Sequence, residues 1–104
     1  MTGRPTDRLG GLLGLGVRAG NVVIGVSGVR MKLQQGRLAV VVLAADASPR
    51  TRDKVERLAR ARGIPVLAGP VAERLGAQLG RPPVQTAGTG DRALARGLMR
   101  LSEE

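Results

Sequence analysis

An unbroken apolar run, Leu38 to Ala45 (LAVVVLAA), sets the strongest constraint on how this chain can fold. A strand with one wet face alternates polar and apolar residues, and a run without alternation has no side to give to water. It marks a strand buried on both faces, which requires helices on both sides of a sheet. The flanking sequence supplies them. Leu9, Leu12, Leu13, Gly16 and Val17 recur at i, i+3, i+4, i+7 and i+8, one face of a helix that Pro5 and Thr6–Asp7 can start and Gly20 can stop. Val22-Val23-Ile24 is a short β-branched strand ending at Gly25. From Val26 a second helix carries the stripe Val26, Val29 and Leu33 to a stop at Gly36.

Beyond the long strand, Ser48 as N-cap and Pro49 at the first helical position open a helix to about Arg62 that buries Val55, Leu58 and Ala59. On its wet side Asp53–Arg57 and Glu56–Arg60 have ion-pair spacing, each pair contributing about 0.2–0.5 kcal/mol. Gly63 ends it. Ile64 to Leu67 reads as the next strand, with Pro65 placing it at a strand start or a sheet edge. Gly69–Pro70 opens a fourth helix to about Leu79, closed by Gly80, and after Pro82–Pro83 comes a last strand, Val84 to Ala87. Thr89-Gly90-Asp91 starts a final helix burying Leu94, Ala95, Leu98 and Leu101, and the tail Ser102 to Glu104 is expected to fray. The order αβαβαβαβα with right-handed crossovers predicts one domain over residues 1–104. Its class is α/β, a three-layer α/β/α sandwich with a four-stranded mixed sheet.

Charge points to a partner. The 104 residues carry 17 Lys and Arg, 15 of them Arg, against 8 Asp and Glu, a net +9. Guanidinium forks match phosphates and base edges, so nucleic acid is the expected polyanion, although such charge also keeps a surface soluble. Phe, Tyr and Trp are absent, which excludes aromatic stacking platforms and leaves Arg, backbone and phosphate contacts. Cys and His are absent too. Disulfides, cysteine nucleophiles, Ser-His-Asp triads and most zinc sites are therefore excluded, and the expectation is a non-enzyme without metal or cofactor. The apolar stretch GGLLGLGV is interrupted by Arg18, far short of the ~20 residues of a membrane span, and no signal core follows MTGRPTDR. A cytoplasmic protein, not bound to membrane, is expected.

Two motifs dissolve on inspection. Gly14, Gly16 and Gly20 spell G-x-G-x-x-x-G inside a helical pattern, not the dinucleotide fingerprint after a strand, and close helix packing explains them better. Asp46 and Asp53 lack a third ligand or base, and an Asp before a Ser-Pro helix start fits turn chemistry or dipole compensation. The segment Gly25 to Gly36 (GVSGVRMKLQQG) is more telling. Gly25 at the turn and Ser27–Gly28 at the helix start leave backbone N–H groups free with little side chain in the way, which suits phosphate or base acceptors. Arg30 and Lys32 flank them with positive charge. An ordinary tight turn uses glycines in the same manner.

The segments GVSGVRMKLQQGRLAVVVLAADASPRT and GIPVLAGPVAERLGAQLG carry a resemblance over Leu9 to Leu101. Its markers are the Gly25-to-Gly36 spacing, A-x-D-A-S-P at Ala44 to Pro49, I-P-V at Ile64, and L-G-x-x-x-G at Leu75, Gly76 and Gly80. The chain resembles the kink-turn RNA-binding ribosomal protein superfamily, which includes large-subunit ribosomal proteins, the core protein of box C/D guide particles and small bacterial homologues of the YlxQ type. The resemblance implies that the amino end of the second helix enters an RNA groove at tandem sheared G·A pairs. There an Asn-Glu pair and a Lys one turn later read guanine edges, while the loop after the third strand covers a flipped-out nucleotide. By register from Gly25 the Asn and Glu positions fall on Ser27 and Gly28, the Lys position on Met31, and the loop on Ala68, Gly69, Pro70, Val71 and Ala72. Only Gly25 keeps the family residue. Lys32, about 100° round the helix from Met31, does not replace the missing Lys.

The expected function is non-catalytic binding of structured, kink-turn-like RNA, ribosomal or other, by a monomer associated with the ribosome or translation. The surface would comprise Gly25, Val26, Ser27, Gly28, Arg30, Met31 and Lys32 with the loop Ala68 to Ala72. A protein–protein adaptor in ribosome or transcription machinery is the alternative. Replacing Gly28 is expected to help its helix by up to about 1 kcal/mol if its backbone is helical.

Overall fold

A computed structural model describes residues 5–103. Residues 1–4, the start of the segment inspected for a targeting signal, and Glu104 of the tail lie outside that range. The elements run α1 (Pro5–Arg18), β1 (Val22–Ile24), α2 (Val26–Gln34), β2 (Val40–Leu43), α3 (Pro49–Ala61), β3 (Val66–Ala68), α4 (Ala72–Leu79), β4 (Thr86–Thr89) and α5 (Arg92–Ser102). The sheet is mixed and ordered β1-β4-β2-β3, with β2 parallel to β3 and β4 antiparallel to both β1 and β2. The apolar run thus becomes an interior strand. Val40, Val41 and Val42 are wholly buried and Leu43 nearly so.

Consecutive strand residues point to opposite faces, and β1 shows which helix takes each. A Cβ on Gly16 of α1 would fall 2.8 Å from Val22 Cγ2, and one on Gly28 of α2 would fall 2.6 Å from Val23 Cγ2. Helices α4 and α5 pack on α1, and α3 packs on α2. Three layers result. Gly14 and Gly16 of α1 are packing residues: a Cβ on Gly14 would stand 2.7 Å from the Gln78 carbonyl oxygen of α4, and one on Gly16 2.5 Å from Leu94 of α5. Backbone also confines Gly76 in α4, where a Cβ would lie 2.2 Å from the Pro82 carbonyl oxygen and 2.9 Å from that of Arg81. Backbone cannot rotate aside as a side chain can. Gly76→Ala is therefore expected to cost about 1–3 kcal/mol in urea unfolding. Gly11→Ala, which meets nothing within 4 Å, is expected to leave stability unchanged or raise it.

The caps explain where elements start and stop. Ser48 Oγ accepts from Thr51 N at 3.1 Å with Pro49 at the first position of α3, and Asp91 Oδ1 accepts from Leu94 N at 2.9 Å to open α5. Gly63 sits at φ 67°, the left-handed conformation that ends α3, where Ile64 N donates to Ala59 O and Gly63 N to Arg60 O. Helices α1, α2 and α4 end in the same pair of bonds.

Four element bounds differ from the sequence reading, and the first is β2, which covers Val40–Leu43 within the longer run Leu38 to Ala45. Ile64 spends its N–H on the α3 stop and Pro65 has none, so β3 runs from Val66 to Ala68 rather than from Ile64. Pro65 does lie at the edge strand, accepting from Val41 N. Gly69 N donates to Leu43 O and Pro70 O accepts from Ala45 N, so these residues still belong to the sheet end and α4 begins at Ala72. Val84 is buried, but its N–H goes to Ala72 O, and pairing in β4 starts at Thr86. The two buried threonines there spend their hydroxyls on Val42 O and Asn21 O. On α3 the Asp53–Arg57 pair forms at 3.0 Å, whereas Glu56 turns back to Arg52 at 3.5 Å instead of forward to Arg60. Leu58, Leu94 and Leu101 pack on the core only half-buried. Ser102 is the last residue of α5, its hydroxyl donating to Met99 O.

Candidate nucleic-acid interface

Gly25 carries φ 99° and ψ 157°, a conformation that favours glycine, and its carbonyl accepts from Val29 N, the first bond of α2. The N–H groups of Val26, Ser27 and Gly28 therefore have no intrahelical acceptor. Among the described residues no side chain caps them. A helix that starts this way presents bare donors and the positive end of its dipole.

Hydrogen bonds across the end of the sheet connect this terminus to the loop after β3. Gly25 N donates to Thr86 O, Ala44 N to Gln85 O, Gly69 N to Leu43 O and Ala45 N to Pro70 O. Both features thus stand on one sheet end, separated by three strand spacings, about 14–15 Å. Ser27 and Met31, four residues apart on α2, are exposed there, as are Ala68 and Val71, while Gly69 and Pro70 are buried. Of the three large apolar side chains most exposed among the described residues, two are Met31 at 54% and Val71 at 46%, which makes this end an apolar as well as a donor-rich surface.

Two expected cations stand elsewhere. Arg30 lines a cleft of about 310 Å³ between α2 and α3 with Gln34, Lys54 and Arg57, and its buried Nε has no partner among the described residues. Lys32 lines a concavity with Gly20, Asn21 and Gly90, at the opposite end of the sheet. The reason is geometric: Lys32 is turned about 100° round α2 from Met31 and stands about 10 Å along the axis from Gly25. Arg52, unnoticed in the sequence, takes part in their stead. Its Nη2 donates to Ala44 O at 3.4 Å and Ala45 O at 3.3 Å, fixing a half-exposed guanidinium at the end of β2. Only its placement four residues after the Ser48 cap hinted at this.

The two carboxylates set aside as a catalytic pair have structural tasks. Asp46 Oδ1 accepts from Ala72 N at 2.7 Å, compensating the start of α4 rather than of α3, and Asp53 holds Arg57. Among the described residues no group of three or more His, Cys, Asp or Glu could hold a metal ion. No helix among them is long and apolar enough to cross a membrane. At Gly28 the helical backbone does not make substitution favourable, because the added Cβ would press on Val23.

An α/β/α sandwich with an uncapped helix start and a short loop on one sheet end defines a class of small basic domains. The chain belongs to the ribosomal protein L7Ae/L30e/S12e/Gadd45 family, whose pattern it matches over residues 7–94. This bears out the superfamily read from the sequence. Among solved structures it is similar to a protein of unknown function from Bacillus halodurans, at 28% identity and a TM-score of 0.88, covering 94% of this chain and 99% of that one. It is also similar in fold to the Giardia lamblia 15.5 kD RNA-binding protein, at 19% identity and a TM-score of 0.82, covering 99% of this chain and 88% of that one. Among curated proteins none matches the chain.

Proposed function

We propose that this protein is a non-catalytic binder of structured, kink-turn-like RNA, acting as a cytoplasmic monomer in association with the ribosome or translation. The observation that carries the reading is the uncapped start of α2, opened by Gly25 on the same sheet end as the Ala68–Ala72 loop. Family membership and the net charge of +9 support it. The name of the Giardia protein of the same fold agrees with it. RNA would meet the bare N–H groups of Val26, Ser27 and Gly28, with Met31 and Val71 offering apolar contact and Arg52 a fixed charge.

Ser27→Asp tests the surface without harming the fold. Ser27 is exposed, and a carboxylate in the first turn of a helix is favourable to the dipole. The variant is expected to keep the parent's melting temperature and to bind folded RNA at least tenfold more weakly, because the carboxylate takes the position of an RNA oxygen. In the parent, log K should fall with log salt by about 0.9 per phosphate neutralised. A protein–protein adaptor is the second reading, favoured by exposed Met31 standing where a base-reading side chain belongs. RNA affinity unchanged by both salt and Ser27→Asp would establish the adaptor and end the RNA proposal.

A further inference from the structure

Four of the 17 Lys and Arg, Lys32, Arg37, Arg92 and Arg96, line concavities away from the surface just described. The acidic groups are largely engaged: Asp7 pairs with Arg74, Asp53 with Arg57 and Glu56 with Arg52, while Asp46 and Asp91 cap α4 and α5. At the other end of the sheet, where β4 ends and β2 begins, two concavities adjoin along Arg37, Leu38 and Gly90. The larger, about 450 Å³, is lined by Arg37, Arg92 and Arg96 over an apolar floor of Leu38, Ile64 and Met99. The smaller, about 180 Å³, adds Lys32. Among the described residues no Asp or Glu lines either. Arg37, Arg92 and Arg96 are exposed, and their guanidinium groups have no ion-pair or hydrogen-bond partner among the described residues.

We propose that this end is a second RNA-backbone site, so that the protein holds two segments of RNA at opposite ends of its sheet. The layout of this end favours RNA backbone among polyanions. Arg92 and Arg96, at i and i+4 on one side of α5, stand about 6 Å apart along the helix axis, a step that suits successive phosphates of one strand. Guanidinium forks bond phosphate oxygens in pairs. The rim between them is bare backbone at exposed Gly20, Gly36 and Gly90, which lets a ribose-phosphate chain approach closely. Asp91, the acid beside Arg92, is held by the N-cap of α5 and so points into its own helix start. The proposal shares its ligand class with the reading above and rests on different residues.

The test uses the full chain, a kink-turn RNA and a straight RNA duplex. The variant Arg37→Gln/Arg92→Gln/Arg96→Gln loses three exposed, unpaired charges, and an unchanged thermal transition checks its fold. Its salt slope on the straight duplex is expected to be shallower by roughly two to three units, at about 0.9 per phosphate lost. Parent protein held on an immobilised kink-turn RNA is expected to capture labelled duplex, and the triple variant to capture none. Ser27→Asp is expected to lose the parent's preference for the kink-turn RNA while binding duplex with the parent's salt slope. If the triple variant keeps the parent's slope and captures duplex, the second site is refuted and the α2 surface stands. If Ser27→Asp binds kink-turn RNA as the parent does while the triple variant loses duplex, the α2 reading fails and the second site stands. Charge-dependent binding of polyglutamate in place of duplex would assign this end to an acidic protein and overturn the proposal.

Discussion

Val41→Asp is expected to abolish the cooperative thermal transition. Val41 has no exposed surface, lies mid-way along β2, and stands between Val66 of β3 and Gly88 of β4. Both faces of that strand are covered, so a carboxylate there reaches neither water nor a counter-charge. Leaving an ion unpaired in such a place costs several kcal/mol, a large part of the roughly 5–15 kcal/mol that holds a domain together. Circular dichroism against temperature is the measurement. Val41→Ala, which removes volume but adds no charge, is expected to keep a cooperative transition at a lower temperature. A Val41→Asp protein melting cooperatively near the parent would show that β2 is not the buried centre of a sandwich.

How much of this was legible along the chain depends on how far each determinant reaches. Signals within one turn were plain: the unalternated β2 run, Ser48–Pro49 as a helix entry and the glycines that stop helices. Strand β4 was misplaced because Thr86-Ala87-Gly88-Thr89 has little strand character of its own. It is a strand because β1 and β2 flank it, and because its hydroxyls find Val42 O and Asn21 O, 44 and 68 residues away. The same reach hides the cap of α4, since Asp46 and Ala72 are 26 residues apart. The candidate surface was half legible. Gly25 and the Ala68–Ala72 loop were named from the sequence and stand on one end of the sheet. Lys32 and Arg30 were assigned by proximity in the chain, which a helix running back along the sheet does not preserve. The cluster of Lys32, Arg37, Arg92 and Arg96 has no linear signature, because antiparallel pairing of β4 with β2 brings Gly90 beside Leu38.

Restoring the base-reading side chains is the most direct trial of the α2 surface. The family register places Asn, Glu and Lys at positions 27, 28 and 31, where this chain has Ser27, Gly28 and Met31. Ser27 and Met31 are exposed, so Asn and Lys there meet no obstruction. Glu at 28 could accept from a guanine amine, and Lys at 31 could donate to guanine acceptors. Each good base contact contributes about 1–3 kcal/mol of discrimination, so the triple variant is expected to prefer a kink-turn RNA over a straight duplex by tenfold or more beyond the parent. Stability moves the other way. The Cβ added at 28 falls 2.6 Å from Val23 Cγ2, and such overpacking costs about 1–3 kcal/mol against a helix gain of at most about 1 kcal/mol. A lower melting temperature should accompany the gain in selectivity. Val23→Ala in the same background should return part of the loss, because it removes the methyl that the new Cβ strikes. Gel-shift titration of parent and variants against both RNAs, with a melt of each protein, separates the two effects. A folded triple variant without gain in selectivity would show that the register from Gly25, or the surface itself, is wrong. A parent already strongly selective would mean that the backbone donors of α2 and the Ala68–Ala72 loop recognise the kink without those side chains.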